Sequence, residues 1–344
     1  MNLLAPSPLI VDGLPRLGQF SDSLSHINHR DFTLETPFGK KANRLDQWLG
    51  FKQFQYFGGM SDTLIFGCAL AHLRHMGVAF VYVVDMHTGE LFSRSYRSPL
   101  GIGMSMSESP VDGLSLFRLP GVDIRMGYQG SPRQKSLFVR LGDILEIDTT
   151  MPEAGFEPMS LCTRAGYHGW VYANKTAGLA LEGELVWRGQ RHDLAELGAM
   201  GHHDFSCGFM RRETWWNWAC LSGIVHDSNG QSHTLGLNIS TGVNETTYSE
   251  NCLWLDGKCI SLASAIFAFD VQDVLKPWQV STLDGRVQLT FSPLGLHKEL
   301  LKLPLLKSHF RQIFGRFQGR VEIDGTCYTV QGLTGFVEDQ FARW

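Results

Sequence analysis

Gly319-Arg-Val-Glu-Ile-Asp-Gly-Thr-Cys-Tyr-Thr-Val330 is the stretch that most clearly indicates the fold. Hydrophobic and polar residues alternate on both sides of Asp324-Gly325, and an Asp-Gly pair tolerates the left-handed backbone of a two-residue hairpin turn. The stretch therefore predicts two antiparallel strands joined by a tight turn.

The same pattern recurs along the chain. Phe80-Val-Tyr-Val-Val-Asp85 and Leu91-Phe-Ser-Arg-Ser-Tyr96 flank the turn residues His87-Thr88-Gly89. Helical periodicity is weak, because Pro304 interrupts the leucine-rich stretch 300–314. Short strands separated by tight turns are typical of antiparallel barrels and sandwiches. The sequence therefore predicts an all-β protein.

Composition sets the size of the fold and the class of partner. The 344 residues are 43% hydrophobic and 19% charged, which predicts a packed globular protein. A net charge of -4 gives no basic field for a phosphate backbone, so nucleic acid is not an expected partner. About 150 residues per domain predicts two domains. Two prolines within residues 151–158 place the boundary there, giving domains 1–160 and 161–344.

Several features predict a cytoplasmic protein without a transmembrane segment. Residues 1–10 lack the basic start and apolar core of a signal peptide, and no apolar window of about 18 residues occurs. The seven cysteines form no Cys-x-x-Cys pair, as expected of reduced thiols. The stretch 300–314 is either a patch for peripheral membrane contact or a loop packed on a barrel with its basic residues solvated.

Residues 201–223 are the part of the chain richest in reactive and amphipathic side chains. They contain two adjacent histidines, two arginines, two carboxylates and three of the nine tryptophans. Buried indole and imidazole rings need hydrogen-bond partners, so this clustering favours a pocket with apolar walls and a few polar groups. The candidate site residues from this segment are His202, His203, Asp204, Arg212, Trp216 and Trp218.

His203 and Asp204 allow two interpretations. A histidine held by a carboxylate can act as a general acid or base near neutral pH. Alternatively, Asp204 caps a turn and the histidines are satisfied core residues. No metal site is expected, because adjacent histidines on a regular strand point to opposite faces and the cysteine spacing does not supply four zinc ligands.

The tryptophans predict a wall of the pocket. Trp216 and Trp218 share one face of a predicted strand, and Trp215 lies on the other. Two neighbouring indoles are explained by core packing, by a wall for an extended apolar ligand, or by a platform for a cation or sugar. The next region is polar where a core strand would be apolar, which adds Asn238, Asn244 and Glu245 as candidates.

The carboxyl-terminal segment contributes two further candidates. Glu338 and Asp339 either form a surface ion pair with Arg343, or one of the two carboxylates points into the cavity and faces His203. No glycine-rich nucleotide loop, Gly-x-Ser-x-Gly elbow or His-Glu-x-x-His motif occurs in the sequence. We therefore expect no cofactor.

Seven segments together resemble the bacterial family catalogued as domain of unknown function 2804. They span nearly the whole chain: Phe80-Val-Tyr-Val-Val-Asp85, Asn174-Lys-Thr-Ala-Gly-Leu179, His203-Asp-Phe-Ser-Cys-Gly208, Thr214-Trp-Trp-Asn-Trp-Ala219, Glu250-Asn-Cys-Leu-Trp-Leu-Asp-Gly-Lys258, Gln312-Ile-Phe-Gly-Arg-Phe-Gln-Gly319 and Gly335-Phe-Val-Glu-Asp-Gln-Phe-Ala-Arg-Trp344.

A more distant resemblance is to carotenoid 1,2-hydratases and related lipocalin-like enzymes. His203-Asp204, Gly208 and Trp216-Asn-Trp218 are similar to the His-Asp-His-Asn-Trp-Gly and Trp-x-Trp signature of that group. Residues 205–207 depart from it, with Phe, Ser and Cys in place of His, Asn and Trp. The resemblance implies two lipocalin-like, calycin-type antiparallel β-barrels and an apolar cavity in which double bonds are hydrated or polyenes are cyclised.

The first functional hypothesis is a cofactor-independent hydro-lyase or isomerase acting on an apolar lipid-like or isoprenoid molecule. In this hypothesis His203, oriented by Asp204, exchanges a proton with the substrate. Trp216 and Trp218 stabilise developing positive charge. Glu245 or Asp339 positions water or takes the second proton.

Two other classes remain open. A non-catalytic carrier of a hydrophobic ligand would tolerate His203 outside the cavity, whereas the histidine-based enzyme requires it inside. A carbohydrate-active enzyme would require two carboxyl groups about 5 to 9.5 Å apart across the pocket.

Overall fold

The computed structural model describes residues 8–243, 248–303 and 306–343, and nearly all of its regular structure is β-strand. The described helical segments are α1 (Arg44–Gly50) and a 3-10 turn at His29–Asp31. Asn43 begins α1 as its cap, because its side chain accepts a hydrogen bond from the backbone N–H of Asp46. The predicted all-β class is confirmed.

The strands of the first half of the chain are short to medium in length. They are β1 (Ile10–Val11), β2 (Leu14–Pro15), β3 (Gly18–Gln19), β4 (Lys52–Met60), β5 (Leu64–His72), β6 (Met76–Asp85), β7 (Leu91–Pro99), β8 (Met104–Ser105), β9 (Gly113–Leu119), β10 (Val122–Gly130), β11 (Arg133–Leu141), β12 (Leu145–Pro152) and β13 (Met159–Ala165).

The second half ends in three long strands. Its elements are β14 (Gly169–Ala180), β15 (Glu182–Trp187), β16 (Gln190–Asp193), β17 (Met200–Gly208), β18 (Glu213–His226), β19 (Ser232–Thr241), β20 (Cys252–Leu255), β21 (Lys258–Ser261), β22 (Ala265–Ala268), β23 (Trp278–Thr282), β24 (Val287–Lys302), β25 (Lys307–Ile323) and β26 (Thr326–Arg343).

Three antiparallel sheets contain all of these strands except the β1–β2 pair. Sheet A has the order β16-β15-β12-β11-β10-β9-β8, and sheet B has the order β3-β13-β14-β17-β4-β5-β6-β7. Sheet C has the order β21-β20-β19-β18-β26-β25-β24-β23-β22. The predicted boundary at residue 160 lies within β13, and the chain passes into sheet C at residues 209–212.

Sheet B lies between the other two sheets. Its β17 places His203 against Tyr128 of sheet A and His202 against Phe336 of sheet C. Trp218 and Phe336 of sheet C join the same continuous hydrophobic core as the buried residues of sheets A and B. The two faces of β17 therefore serve two different packing interfaces.

The two hairpins predicted from turn residues are confirmed. Strands β25 and β26 pair from Ile323 and Thr326 onward, and the turn residues Asp324 and Gly325 have φ of 49° and 80°. Strands β6 and β7 pair as expected. The Asp85 carboxylate accepts hydrogen bonds of 2.8 Å from the backbone N–H groups of His87 and Thr88, which holds that turn.

The prediction of a loop at 300–314 is wrong over the residues that the structure describes. Strands β24 and β25 continue to the pair Lys302–Lys307, so most of this stretch extends a strand ladder. The paired backbones of these strands satisfy each other's hydrogen bonds. Pro304 itself lies outside the described residues. No helix of the described ranges is long and apolar enough to cross a membrane.

Two glycines permit the close approach of sheets B and C. A Cβ atom on Gly236 of β19 would lie 2.1 Å from the backbone oxygen of Ala177 in β14. Gly178 follows Ala177 at an irregularity in the strand register and has a φ of 87°. Backbone therefore meets backbone at this point, and no side chain can move aside to make room.

Gly236→Ala is expected to lower the free energy of unfolding by about 1–3 kcal/mol, because the new methyl group must push β14 and β19 apart. The measurement is urea denaturation followed by tryptophan fluorescence. Gly130→Ala is the matched control, since the nearest atom to its Cβ would be 3.6 Å away. Equal midpoints for the two variants would contradict the close approach.

Candidate functional site

A cleft of about 230 Å³ opens between sheets B and C. This volume is below the roughly 300–1,000 Å³ of typical small-molecule sites, so the cleft suits a small ligand or one part of a larger one. Strands β4, β14 and β17 line it on one side, and strands β18, β19 and β26 line it on the other. Aromatic rings form much of its wall: Phe54, Tyr56, Phe80, Trp216, Trp218 and Phe310.

A buried ion cluster lies in the cleft. Lys175 Nζ is 3.1 Å from Asp204 Oδ2 and 2.8 Å from Glu250 Oε1, and all three side chains are buried. Lys175 and Asp204 are direct partners on β14 and β17, so strand pairing places them on the same face. Glu250 precedes β20 and belongs to the opposite wall. One lysine therefore joins the two sheets.

Neighbouring groups complete this cluster. Ser206 Oγ donates to Asp204 and Ser240 Oγ donates to Glu250, both at 2.7 Å. The Lys175 ammonium lies 4.8 Å from the centre of the Trp218 ring. Burial lowers the pKa of Lys175, but the two carboxylates outweigh burial and raise it above the usual lysine range. Lys175 is therefore held as a cation.

Glu338 on β26 is a carboxyl group of sheet C that faces the cleft, as Glu299 on β24 also does. It lies directly opposite Trp218 on β18 and Gln312 on β25, which places it on their face of the sheet. Its Oε2 accepts a 3.0 Å hydrogen bond from Trp216 Nε1, and its Oε1 accepts a 2.9 Å bond from Gln312 Nε2. Burial raises the pKa of Glu338 to about 7 in spite of these donors. The group can therefore give or take a proton near neutral pH.

Asn238 positions one of the tryptophans. Its Oδ1 accepts a 2.7 Å hydrogen bond from Trp218 Nε1, and its Nδ2 donates to the backbone oxygen of Glu250 at 2.9 Å. Trp216 and Trp218 share the cleft face, whereas Trp215 on the opposite face is 54% exposed. The predicted arrangement of the three indoles is confirmed.

The predicted pairing of His203 with Asp204 is wrong. The two residues are consecutive on β17 and point to opposite faces, so Asp204 faces the cleft while His203 Nε2 lies 3.2 Å from the Tyr128 hydroxyl. His202 Nε2 lies 3.1 Å from the Tyr56 hydroxyl. Burial lowers the pKa of His202 to about 3 and that of His203 well below its ordinary range, so both rings are neutral. Both rings are therefore core residues, but only one nitrogen of each is satisfied, because the buried Nδ1 atoms of His202 and His203 have no hydrogen-bond partner among the described residues.

The other predicted residues divide between the cleft and the surface. Asp339 faces away from Glu338, forms an ion pair with Arg311 and accepts a 3.3 Å hydrogen bond from Asn217. Arg212 is exposed and does not line the cleft, whereas Arg211 does. Asn244 and Glu245 lie outside the described residues. One carboxylate of the terminal pair does enter the cleft, but it meets Trp216 and not His203.

Sequence reasoning did not identify Lys175, Glu250 or Gln312. The clue to Lys175 was that it is the single charged residue of β14, since a charged residue is rarely fully buried unless it is paired. Nothing comparable marked Glu250 and Gln312. In the described parts of the chain, no group of three or more His, Cys, Asp or Glu side chains is arranged to hold a metal ion.

Lys175→Met is expected to destabilise the fold by about 3–5 kcal/mol, because it leaves two buried carboxylates without their cation. Urea denaturation at neutral pH is the measurement. Lys258→Met is the matched control: Lys258 pairs with Glu157 at 2.7 Å on the surface, and its loss should cost about 0–1 kcal/mol. A loss for Lys175→Met no larger than the control would contradict the buried cluster.

Glu338→Gln tests the raised pKa. A carboxyl group that binds its proton more tightly in the folded state than its ordinary value of 4.5 stabilises the fold at low pH, and this stability is lost as pH rises through about 7. Between pH 5 and pH 8 the wild type should therefore lose about 2–3 kcal/mol relative to Glu338→Gln, which cannot ionise.

Denaturation curves of both proteins at the two pH values provide this measurement. Glu322→Gln, which changes an exposed carboxylate, should keep a nearly constant difference from the wild type across the same range. A constant difference for Glu338→Gln as well would show that Glu338 ionises normally.

Two solved structures share the fold of this chain. The crystal structure of CghA with Sch210972 matches with a TM-score of 0.55 at 10% identity, over 99% of this chain and 97% of that chain. Kievitone hydratase from Nectria haematococca matches with a TM-score of 0.50 at 9% identity, over 83% and 88% of the two chains. At these identities the likeness shows the fold alone.

Comparisons of sequence give the family. None of the curated proteins compared matches this chain. The family model described as "Domain of unknown function (DUF2804)" matches residues 27–344, as the seven quoted segments predict. The chain therefore belongs to the DUF2804 family.

Proposed function

We propose that the cleft between sheets B and C binds an apolar lipid-like or isoprenoid molecule and catalyses proton transfer on it, as a hydratase, isomerase or cyclase does. The observation that carries the proposal is Glu338, a buried carboxyl group with a pKa of about 7 beside two indole rings. Such a group is poised to protonate a double bond and to recover a proton afterwards.

The aromatic wall supports this chemistry. When Glu338 gives its proton to one carbon of a double bond, positive charge develops on the neighbouring carbon. The π face of Trp216 stabilises that charge, since the Trp218 ring already contacts the Lys175 ammonium. The reaction ends in one of two ways: the cation loses a different proton, giving an isomer or a cyclised product, or water adds and releases a proton. In either case the ionised Glu338 recovers a proton.

The ion cluster contributes a polar end to the same cleft. Lys175 keeps its charge, so the adjacent carboxylates of Asp204 and Glu250 stay in a fixed arrangement next to the apolar wall. A hydroxyl group or water molecule at this end can donate a hydrogen bond to a carboxylate oxygen. We infer that the cluster orients a polar group of the substrate, or the attacking water, while Glu338 transfers the proton.

The fold likeness supports the proposal. Kievitone hydratase is a hydratase by its name, and CghA was crystallised with the small molecule Sch210972. We also propose that the sheets of this chain form two lipocalin-like barrels. The cleft would then lie where the two barrels meet.

A non-catalytic carrier is the second candidate, and one observation favours it. His203 is buried against Tyr128 outside the cleft, as a carrier would tolerate. The cleft would then hold its ligand through aromatic contacts and one hydrogen bond to the polar end. The carbohydrate-active alternative has less support, because Asp204 and Glu250 are joined by Lys175 and do not form a free pair of carboxylates.

Purification from the natural host, with native mass spectrometry and solvent extraction, is expected to recover a bound polyene, fatty acid or terpenoid. Incubating that compound with the protein in D2O should add deuterium at carbon, because Glu338 exchanges its proton with solvent. Glu338→Gln should slow incorporation by about 100-fold or more and leave ligand affinity within about tenfold.

Glu322→Gln is the control, because that exposed residue lies outside the cleft. A ligand that binds but never exchanges or changes structure would support the carrier and refute catalysis. A protein that binds neither a fatty acid nor an isoprenoid alcohol would refute both candidates.

A further inference from the structure

A second pocket, of about 560 Å³, adjoins the cleft at Gln53 and shares no other lining residue with it among the described residues. The 3-10 turn, α1 and the connection between β5 and β6 surround it. Its volume is in the range of small-molecule sites. Aromatic side chains in its wall are Trp48, Phe51 and Phe209, and its charged or titratable side chains are His29, Arg30, Arg44, His72, Arg74 and Glu108.

The pocket has an excess of positive charge. Three guanidinium groups face a single carboxylate, Glu108, which is 3.1 Å from Arg30 Nη2. Burial lowers the pKa of His29 to about 4, and it also lowers the pKa of His72, so both rings are neutral at pH 7. Two positive charges therefore remain without a partner of opposite sign among the residues that line the pocket.

Arg74 is held in place at the wall. Its backbone has a φ of 69°, which a residue other than glycine adopts rarely. Its backbone N–H donates to His72 Nδ1 and its Nε donates to the backbone oxygen of Phe51, both at 3.1 Å. Its guanidinium carbon lies 4.9 Å from the centre of the Phe51 ring. These contacts fix the guanidinium in one position in the wall of the pocket.

Hydrogen-bond donors remain unused around Arg74. Within the described residues, neither the two terminal nitrogens of Arg74 nor the guanidinium of Arg44 makes a hydrogen bond. His29 stacks on Phe51 with ring centres 3.7 Å apart, and its buried Nδ1 has no hydrogen-bond partner in the same part of the chain. The concavity therefore combines fixed donors, excess positive charge and an aromatic surface.

We propose that this pocket binds a phosphorylated small molecule, with the phosphate dianion held by Arg44 and Arg74 and the remainder of the ligand packed on Trp48, which is 43% exposed. A dianion matches the two uncompensated charges, and guanidinium groups bind phosphate oxygens through paired N–H donors. The aromatic side chains and the volume indicate that the ligand is larger than phosphate alone.

Isothermal titration calorimetry at constant ionic strength tests the proposal with inorganic phosphate and phenyl phosphate as probes. The wild type should bind both, and phenyl phosphate several-fold more tightly because its ring contacts the aromatic wall. Arg74→Gln and Arg44→Gln should each weaken phenyl phosphate binding by about tenfold or more. Arg44 is exposed, so its replacement leaves the fold intact even if Arg74→Gln proves unstable.

Two control variants make the result specific. Arg320→Gln removes an arginine of sheet C that donates to Gln288, and it should bind phenyl phosphate like the wild type. Glu338→Gln should also bind normally, because the cleft is a different site. The proposal is overturned if the wild type binds neither probe, or if Arg44→Gln and Arg74→Gln bind as tightly as Arg320→Gln.

Discussion

The ionic contact of Lys175 with Asp204 and Glu250 is the constraint on which the rest of the structure depends. Lys175 and Asp204 come from sheet B, whereas Glu250 belongs to the sheet C side, so the contact fixes the two sheets at one spacing. Three buried charges are tolerated only when each is paired and hydrogen-bonded, and Ser206 and Ser240 supply the remaining bonds. Because the same charges line the cleft, the packing of the two sheets also sets the geometry of the site.

Desolvation gives this cleft its chemical character. The apolar rings that would bind a hydrophobic molecule also exclude water from Glu338, and that exclusion raises its pKa to about 7. The same burial acts in the opposite direction on His202 and His203, whose pKa values fall because the charged form of imidazole is disfavoured. Burial therefore brings the pKa of Glu338 into the neutral range and takes the pKa values of both histidines out of that range.

Much of the fold was predictable from the sequence, but the side-chain contacts of His203 were not. Turn residues and alternation located the hairpins around Thr88 and Asp324, and strand periodicity placed Trp216 and Trp218 together. The same periodicity separates His203 from Asp204 once residues 200–208 are known to be one regular strand. The sequence alone left open a turn at that point, which would have brought the two side chains together.

The sequence by itself determined the all-β class, the main hairpins and the face on which the indoles lie, because these depend on patterns a few residues long. Only the tertiary structure decided that Lys175, Asp204 and Glu250 meet, and that Glu338 enters the cleft while Asp339 binds Arg311. Glu338 faces the cleft because β26 pairs in register with both β18 and β25. Register and sheet packing join residues far apart in the chain, so no local pattern encodes which charge will be buried beside which ring.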